Sequence, residues 1–445
     1  MGSLRITLPL ALLLVVGGLV ASRSAAQPPE LGRPVPGLRA GPVERMPDTH
    51  ARTPVDSSEL HAWLNDPEGP RNIWLKAGVY QGPLHIRRPL TLSGEPGAVI
   101  DGRGEGTVMD VVADGVTLEN LTVRNSGRRN TTEDAGVRVK GKGNLVSHVR
   151  VQGAFFGISL EMCPGCAVQD CWVAGEPGLH GAEQGDGIKV WESHDAVVAR
   201  NLVENTRDVV VWYSRRVTLD GNTIRNGRYG THFMYAHDSV VRNSRIVDNT
   251  VGIFVMYSAR LVAEDNLLAG GRGPAGVGLG FKESDGVHVR RNRLVGNTTG
   301  TYLDRTPRVV EQPVDFIGNT FALNDVALRF HSSQRGVSFH DNSFENNGFV
   351  VEVEGGGDVL GVDFTGNRWS DYAGYDLDDD GHGDVAFEVK KLGHEITDAH
   401  PAIRLFQGTA AMALVDAVAH AIPFLARRQL LVDARPRMRE VGSLP

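Results

Sequence analysis

The chain has 445 residues, with 46 Lys and Arg against 53 Asp and Glu, and a formal net charge of −7. The basic residues are spread along the sequence without a basic block, so the composition does not indicate a nucleic-acid-binding protein. Three cysteines are too few for a small disulfide-held scaffold, and their odd number leaves at least one thiol unpaired within a monomer.

The first 26 residues have the pattern of a secretory signal peptide. Arg5 precedes an apolar run over residues 6–21, and small residues precede Gln27. The run is short and contains Pro9, which favours a cleaved signal over a membrane anchor. We therefore expect an exported protein that meets an oxidising compartment.

The next two segments differ in pattern. Residues 27–53 are rich in proline and lack apolar periodicity, which predicts a flexible leader. The stretch SSELHAWLND (57–66) predicts a short capped helix with Leu60, Trp63 and Leu64 on one face.

From about residue 105 to 370 the sequence repeats a unit of short strands and turns marked by an asparagine. The asparagines recur in steps of 21 to 27 residues, at 201, 222, 243, 266, 292, 319, 342 and 367. Stacked side-chain amides satisfy one another's hydrogen bonds inside such a repeat.

Two repeat folds have units of this length. Leucine-rich repeats need a regular leucine framework with a helical segment, whereas these units are rich in Val and Ile and alternate as strands do. We therefore predict an all-β fold, a right-handed parallel β-helix over residues 54–390, with a short N-terminal cap helix and a C-terminal helical tail.

Strand alternation separates an inner from an outer face in four consecutive units. The inward columns read Ile188, Val209, Thr231 and Ile253, then Val190, Val211, Phe233 and Val255. The outward columns read Lys189, Val210, His232 and Phe254, then Trp191, Trp212, Met234 and Met256, then Glu192, Tyr213, Tyr235 and Tyr257. The outer face is thus an exposed apolar and aromatic ladder, unless a loop or the C-terminal tail covers it. The candidate partner surface is Trp191, Trp212, Tyr213, Tyr235, Phe254 and Tyr257.

These units also carry a family resemblance. GDGIKVWESHD, VVVWYSRRVT, RYGTHFMYAHD, VGIFVMYS and GLGFKESD resemble the NosD family of periplasmic maturation proteins for nitrous oxide reductase, as do GNRWSDYAGYDLDDDGHGD (366–384) and the final VDARPRM. The resemblance covers most of the mature chain in order. It implies a periplasmic β-helix that takes part in building copper–sulfur centres. The implied partners are the permease and ATPase subunits of an ABC-type transporter, a copper chaperone and nitrous oxide reductase, with membrane association only through a partner.

The outer face contains donors that suit copper(I), which favours thioether, thiolate and imidazole ligands. His232 and Met234 lie two residues apart on one strand, and Met256 occupies the position of Met234 on the next unit. His237, in the following turn, is a candidate fourth donor. The alternative is that these residues belong to a partner interface, for which adaptable methionine is suited.

EMCPGCAVQDC (161–171) is a second candidate metal or redox site. Cys163 and Cys166, with Met162 adjacent, have the spacing to chelate copper(I) or to form a disulfide in an oxidising compartment. Cys171 falls near the repeat's asparagine position, as a buried inert thiol would. A second CxxC is lacking, which argues against a zinc ribbon.

DLDDDGHGD (376–384) is an acidic turn. Asp376, Asp378, Asp380 and Asp384 occupy the first, third, fifth and ninth positions of a calcium-loop pattern, but Phe387 occupies the twelfth, where an EF-hand has glutamate. A partial calcium loop and a solvated acidic turn are both open.

Residues 391–445 form the predicted C-terminal tail. Its apolar helical surface comprises Leu405, Met412, Leu414, Val415, Val418 and Ile422. Asp416, His420 and Pro423 argue against a membrane span. The residues leave packing on the β-helix and docking on a partner open, and the resemblance favours docking.

The rival function is a secreted carbohydrate-active β-helix enzyme, a polysaccharide lyase, hydrolase or epimerase. Glycoside chemistry needs paired carboxylates, and Asp186, Glu192 and Asp208 lie near one edge of the predicted ladder without forming a tight cluster. The chain has no GxxxxGK[ST], so we do not expect an ATPase. The resemblance, together with the soft donors of the outer face, implies a non-enzymatic scaffold that handles copper, sulfur or both.

Overall fold

The computed structural model describes residues 41–43, 50–179, 183–354, 357–391 and 428–438. These contain one α-helix, α1 (Ser57–Asn65), and 40 β-strands. In chain order the strands are β1 (Asn72–Leu75), β2 (Gly78–Gln81), β3 (Leu84–Ile86), β4 (Thr91–Gly94), β5 (Ala98–Asp101), β6 (Met109–Val112), β7 (Thr117–Glu119), β8 (Thr122–Arg124), β9 (Ala135–Lys140), β10 (Leu145–Ser147), β11 (Arg150–Gln152), β12 (Phe156–Glu161), β13 (Ala167–Gln169), β14 (Trp172–Ala174), β15 (Ile188–Trp191), β16 (Val197–Ala199), β17 (Leu202–Glu204), β18 (Asp208–Trp212), β19 (Thr218–Asp220) and β20 (Thr223–Arg225). They continue with β21 (Tyr229–Met234), β22 (Val240–Arg242), β23 (Arg245–Val247), β24 (Val251–Met256), β25 (Val262–Glu264), β26 (Leu267–Ala269), β27 (Val277–Lys282), β28 (His288–Arg290), β29 (Arg293–Val295), β30 (Thr299–Asp304), β31 (Val314–Ile317), β32 (Thr320–Ala322), β33 (Val326–Phe330), β34 (Val337–His340), β35 (Ser343–Glu345), β36 (Phe349–Val353), β37 (Asp363–Thr365), β38 (Arg368–Trp369), β39 (Phe387–Lys391) and β40 (Arg428–Asp433).

Every third strand belongs to the same sheet, which is the topology of a three-sided parallel β-solenoid. Sheet A contains β1, β4 and so on to β37, followed by β40 and β39, for 15 strands. Sheet B contains 13 strands from β2 to β38, and sheet C contains 12 strands from β3 to β36. Successive coils pair in parallel, as between β15 and β18, so the predicted parallel β-helix is confirmed.

The core lies inside the coils because alternate residues of every strand point inward. Most strands of sheets A and B have three residues, of which the central one is buried, as in β13 and β14. Val, Ile and Leu fill most inner positions of the earlier coils, and stacked aromatic rings fill the later ones. Phe316 and Phe339 stack at 4.4 Å between ring centroids, and Phe344 and Trp369 do so at the same distance.

A polar ladder runs through the turns between sheets A and B. Its members are Asn201, Asn222, Ser244, Asn266, Asn292, Asn319, Asn342 and Asn367. Each backbone N–H donates to the side-chain oxygen on the next coil at 2.8–3.2 Å, so the buried amides are paired. The predicted ladder is confirmed except at Asn243, which has φ 52° and bonds Asp220 outside the ladder.

The N-terminal helix is confirmed and begins with a side-chain cap. Asp56 accepts a hydrogen bond from the Glu59 backbone N–H at 2.9 Å. Leu60 and Leu64 are buried against the solenoid, so α1 covers its first coils.

The leader predicted over residues 27–53 is described only at residues 41–43 and 50–53, which contact the solenoid. The Gly41 N–H donates to the Asp170 carbonyl at 2.8 Å, and Arg52 pairs in parallel with Ile73 of β1. These residues therefore lie on the solenoid. The predicted signal peptide, 1–26, lies outside the described residues.

The end of the predicted helical tail, 391–445, is corrected. Arg428–Asp433 is strand β40, which pairs in parallel with β37 and antiparallel with β39. Asp433 accepts from the Asn367 N–H at 3.0 Å and from the Trp369 indole N–H at 3.1 Å, so it ends the polar ladder. The apolar helix positions from Leu405 to Ile422 lie outside the described residues.

Candidate metal centre

The outer face of sheet C carries the predicted columns in the predicted register. The first column pairs Lys189, Val210, His232, Phe254 and Gly280 on successive coils. The second pairs Trp191, Trp212, Met234, Met256 and Lys282. Strand alternation therefore places His232 beside the neighbouring methionines, as expected from the sequence.

The first column is more covered than an exposed ladder would be. His232 is only 8% exposed, Val210 is fully buried, and Phe254 is half-buried. Lys189 is buried and forms an ion pair with Glu133. The prediction that this column is exposed was therefore wrong.

Aromatic rings and a thioether surround His232. Tyr229 stacks on the imidazole at 4.8 Å between ring centroids, and Trp212 meets it edge-on at 5.8 Å. The Nε2 atom lies 3.2 Å from the Met256 Sδ atom. Among the described residues, Nδ1 is buried without a hydrogen-bond partner.

The imidazole is held in its neutral form. Burial lowers the pKa of His232 to about 4, partly opposed by the Asp208 carboxylate and reinforced by the Arg228 guanidinium. A neutral imidazole has a nitrogen lone pair, which is the form that binds metals.

The two methionines complete a soft donor set. Met234 and Met256 are directly paired across adjacent strands, and both are half-buried. Two thioethers beside a neutral imidazole are the ligand types that copper(I) favours, so these residues fit that ion. The Trp212 indole N–H is buried without a partner among the described residues, and the ring borders the same space.

An aromatic column borders the donors at the end of each strand. Tyr213, Tyr235 and Tyr257 stack at 5.2 and 5.1 Å between ring centroids. Tyr213 and Tyr235 are 46% and 42% exposed, whereas Tyr257 is half-buried. Trp191 and Trp212 beside them are also half-buried, so the predicted partner surface is exposed mainly at its tyrosine edge.

Met162 belongs to this tyrosine column. The residue is 49% exposed. Its backbone N–H donates to the Trp191 carbonyl on the next coil, and the Tyr213 backbone N–H donates in the same way to the Met234 carbonyl. Glu192 lies between Met162 and Tyr213 in the column, and all three have a positive φ. Met162 is therefore three coils from Met234 and is not part of the same donor set.

Of the two alternatives for Cys163 and Cys166, a copper(I) chelate and a disulfide, the structure contains the disulfide. Cys163 and Cys166 form a disulfide, and both are fully buried, so neither offers a thiolate. Cys171 is a buried thiol, as expected, and its backbone N–H donates to the Asn201 side chain at the start of the polar ladder. Burial raises the pKa of Cys171 to about 12, which makes the thiol inert.

His237 lies apart from the other donors. It lies in the turn after β21, where its backbone forms an isolated parallel β-bridge with Ala259 on the next coil. Its Nδ1 atom lies 3.1 Å from the Ala259 backbone nitrogen. Burial and the neighbouring Arg215 and Arg260 lower the pKa of His237. The structure does not bring it into the His232–Met256 contact.

The acidic turn is partly organised. In the part of the chain that the structure describes, one carboxylate oxygen each from Asp376, Asp378 and Asp380 lies within 4.8 Å of the others. Asp384 is not in this group and accepts from the Leu377 N–H at 2.7 Å. Arg435 donates to Asp380 at 2.8 Å, so a cation of the protein already borders the group.

The carboxylates considered for glycoside chemistry are engaged elsewhere. Asp186 and Asp208 are buried, and Arg207 and Arg228 respectively donate to them at 2.9 and 3.0 Å. Burial raises the pKa of Asp186 to about 6, and the Arg207 ion pair only partly offsets this. Glu192 lies at the opposite end of the strand. This geometry does not favour paired acid and base catalysis.

Sequence reasoning missed two residues of this region, one beside His232 and one further along its column. Tyr229 reaches the imidazole because β21 is one residue longer than β18, with a register shift between Asp208 and Val210. The length difference between RDVVVW and RYGTHFM was the available signal. The other is Gly280, which pairs with Phe254 in the first column.

The family model and the sequence relatives point to one family. A family model described as "Periplasmic copper-binding protein (NosD)" matches residues 176–374. A Pseudomonas aeruginosa protein named "Probable ABC transporter binding protein NosD" is 30% identical, covering 93% of this chain and 98% of that protein. A Stutzerimonas stutzeri protein with the same name is 27% identical, covering 84% of this chain and 88% of that protein.

Solved structures share the fold. The A-module of Azotobacter vinelandii mannuronan C-5 epimerase AlgE6 has a TM-score of 0.55 at 13% identity, covering 68% of this chain and 91% of that one. The catalytic unit of a GH87 α-1,3-glucanase from Streptomyces thermodiastaticus strain HF3-3 has a TM-score of 0.55 at 16% identity, covering 74% of this chain and 69% of that one. At these identities the likeness concerns architecture alone.

Among the described residues, the structure has no helix with the length and apolar character needed to cross a membrane.

Proposed function

Because the chain belongs to the NosD family, whose model describes periplasmic copper-binding proteins, we propose that it handles copper(I) for assembly of the copper centres of nitrous oxide reductase. We propose that it acts without bond-making chemistry of its own, and sulfur is a second candidate cargo. The observation that carries the proposal is the contact between His232 Nε2 and Met256 Sδ at 3.2 Å, with Met234 on the adjacent strand.

The surroundings of His232 suit transient copper binding. The Tyr229 and Trp212 rings exclude water from the imidazole and keep it neutral, so copper has no proton to displace near neutral pH. Met234 and Met256 are half-buried, which leaves their thioethers within reach of an incoming donor. A buried imidazole with accessible thioethers binds copper(I) while permitting its transfer.

The tyrosine edge of sheet C supplies the surface for partners in this proposal. Tyr213, Tyr235 and Tyr257 form a flat stacked strip beside the donors, with Trp191 on the same face. Aromatic side chains of this kind are enriched at protein interfaces. A copper chaperone and the reductase would dock here for transfer. The relatives' names support an ABC transporter as a further partner, which we extend to its permease and ATPase subunits.

The test is an anaerobic competition titration of copper(I) between the mature protein and a chromophoric chelator. We expect one equivalent to bind, and Met234→Leu with Met256→Leu to abolish binding, because leucine retains the volume of methionine without its sulfur. Met162→Leu is the matched control, since it removes an exposed thioether of the same face, three coils away, and should leave the affinity unchanged. Unchanged copper affinity in the double variant would exclude the thioether site.

A further inference from the structure

Phe254 stands between His232 and a glycine in the first column. His232 pairs with Phe254 across β21 and β24, and Phe254 pairs with Gly280 across β24 and β27. Side chains in one column of a parallel sheet are about 4.8 Å apart, so a large ring at the middle position must lean towards one neighbour. The direction of Phe254 therefore determines how much space remains over His232.

The ring leans over Gly280. A Cβ atom added at Gly280 would lie 2.4 Å from both Cδ2 and Cε2 of Phe254, far inside contact distance. Gly280 is not among the glycines with a positive φ, so its backbone conformation does not itself require glycine. The missing side chain instead makes room for the phenyl ring.

The opposite direction leads towards the donors. His232 lies on that side of Phe254, on the neighbouring strand β21. Met256 is two residues after Phe254 on the same strand β24, and its Sδ atom lies 3.2 Å from His232 Nε2. Tyr229 contacts both rings, at 4.8 Å from the His232 centroid and 5.9 Å from the Phe254 centroid, and limits sideways movement of Phe254. A ring displaced from Gly280 would therefore move over the His232–Met256 pair.

We propose that Gly280 is a positioning residue for the copper site, because it provides the recess that keeps the Phe254 ring off the His232–Met256 pair. This inference rests on the proposed function, since it assigns a role in the same site. Gly280 touches no donor directly and acts through Phe254.

The test compares copper(I) affinity in four proteins: the wild type, Gly280→Ala, Phe254→Ala and the double variant Gly280→Ala with Phe254→Ala. We expect Gly280→Ala to weaken binding at least about tenfold, which corresponds to about 1.4 kcal/mol. The double variant should bind copper(I) to within about twofold of the wild type. If Gly280→Ala weakens binding only by pushing the Phe254 ring over the donors, removal of that ring removes the effect. Because the clash is with Phe254 itself, a loss of stability would also be relieved in the double variant, so the melting temperature of each variant is measured beside its affinity. A positioning role predicts weaker copper binding by Gly280→Ala that still unfolds cooperatively and is folded at the temperature of the titration.

The outcomes separate this inference from the proposed function. Copper binding absent from the wild type would remove the proposed function itself. Equal affinity of the wild type and Gly280→Ala would mean that the ring turns into solvent, and would overturn the inference while leaving the site intact. Weak binding that persists in the double variant would also overturn it.

A second variant tests the recess if Gly280→Ala fails to fold. Phe254→Trp keeps Gly280 but overfills the space above it, so we expect copper affinity to fall while thermal unfolding stays cooperative. Wild-type affinity in Phe254→Trp would contradict the recess.

Discussion

Replacement of Asn292 by leucine should destabilise the solenoid locally and strongly. The Asn292 Oδ1 atom accepts from the Asn266 backbone N–H at 3.0 Å and from its Nδ2 at 2.9 Å. Its Nδ2 donates to the Ala263 carbonyl at 2.8 Å. Leucine has a similar volume but leaves at least the Asn266 N–H and the Ala263 carbonyl without this partner. At about 1–3 kcal/mol for each buried unsatisfied group, the loss is about 2–6 kcal/mol.

Two matched variants isolate the ladder. Asn292→Ser should be milder, because Ser244 already serves as a ladder member and accepts from the Asn222 N–H at 3.2 Å. Asn243→Gly removes an exposed amide one residue from the ladder, at a φ that glycine tolerates, and should cost no more than about 1 kcal/mol.

The assay is urea unfolding followed by far-ultraviolet circular dichroism, with hydrogen exchange at the Asn266 amide as a local readout. Exchange matters because a solenoid can open over a few coils before it unfolds globally. The reasoning is refuted if Asn292→Leu and Asn243→Gly unfold at the same midpoint with equal protection of the Asn266 amide.

Three further outcomes follow from the described geometry. Alkylation should label no cysteine in the native protein, one after unfolding without reductant and three with reductant, since Cys163 and Cys166 are disulfide-bonded and Cys171 is buried; a labelled native thiol would contradict this. Because the folded-state pKa of His232 is about 4, below its unfolded value of about 6.5, protons favour the unfolded state. Stability should be fully present above about pH 6.5 and fall by about 3 kcal/mol as the pH drops towards 4. His232→Gln should flatten that part of the pH profile of urea unfolding, and an unchanged slope would count against a buried neutral imidazole. Calcium should raise the melting temperature if Asp376, Asp378 and Asp380 bind it, and Asp378→Asn should remove the increase; equal melting temperatures with and without calcium would favour a solvated turn.

The register of sheet C was predictable because it depends on local pattern. Strand alternation and a repeat marked by asparagine place Met234 beside Met256 without any knowledge of distant contacts. The prediction that Asn243 belongs to the polar ladder was wrong because asparagine suits both a buried ladder position and a left-handed turn. Residue type does not separate these roles, and the oxygen of Ser244 accepts the same hydrogen bond.

Burial and long-range pairing were not predictable in this way. His232 is covered by Tyr229 and Trp212, and alternation indicates only that its side chain points outward. Strand β40 pairs with residues that lie about 40 to 70 positions earlier, whereas the Ala-rich stretch before it carries a local helical pattern. Tertiary contacts decide such segments, and local propensity is then a weak guide.

The antiparallel pair of β39 and β40 bears on self-association. A parallel solenoid that ended on β37 would present unpaired backbone groups with the direction and spacing of its own first strand, which is a template for a second copy. Among the described residues, sheet A instead ends on β39, which runs in the opposite direction and carries the exposed charged residues Glu388 and Lys390. The reversed, charged edge strand therefore disfavours end-to-end fibre growth along sheet A.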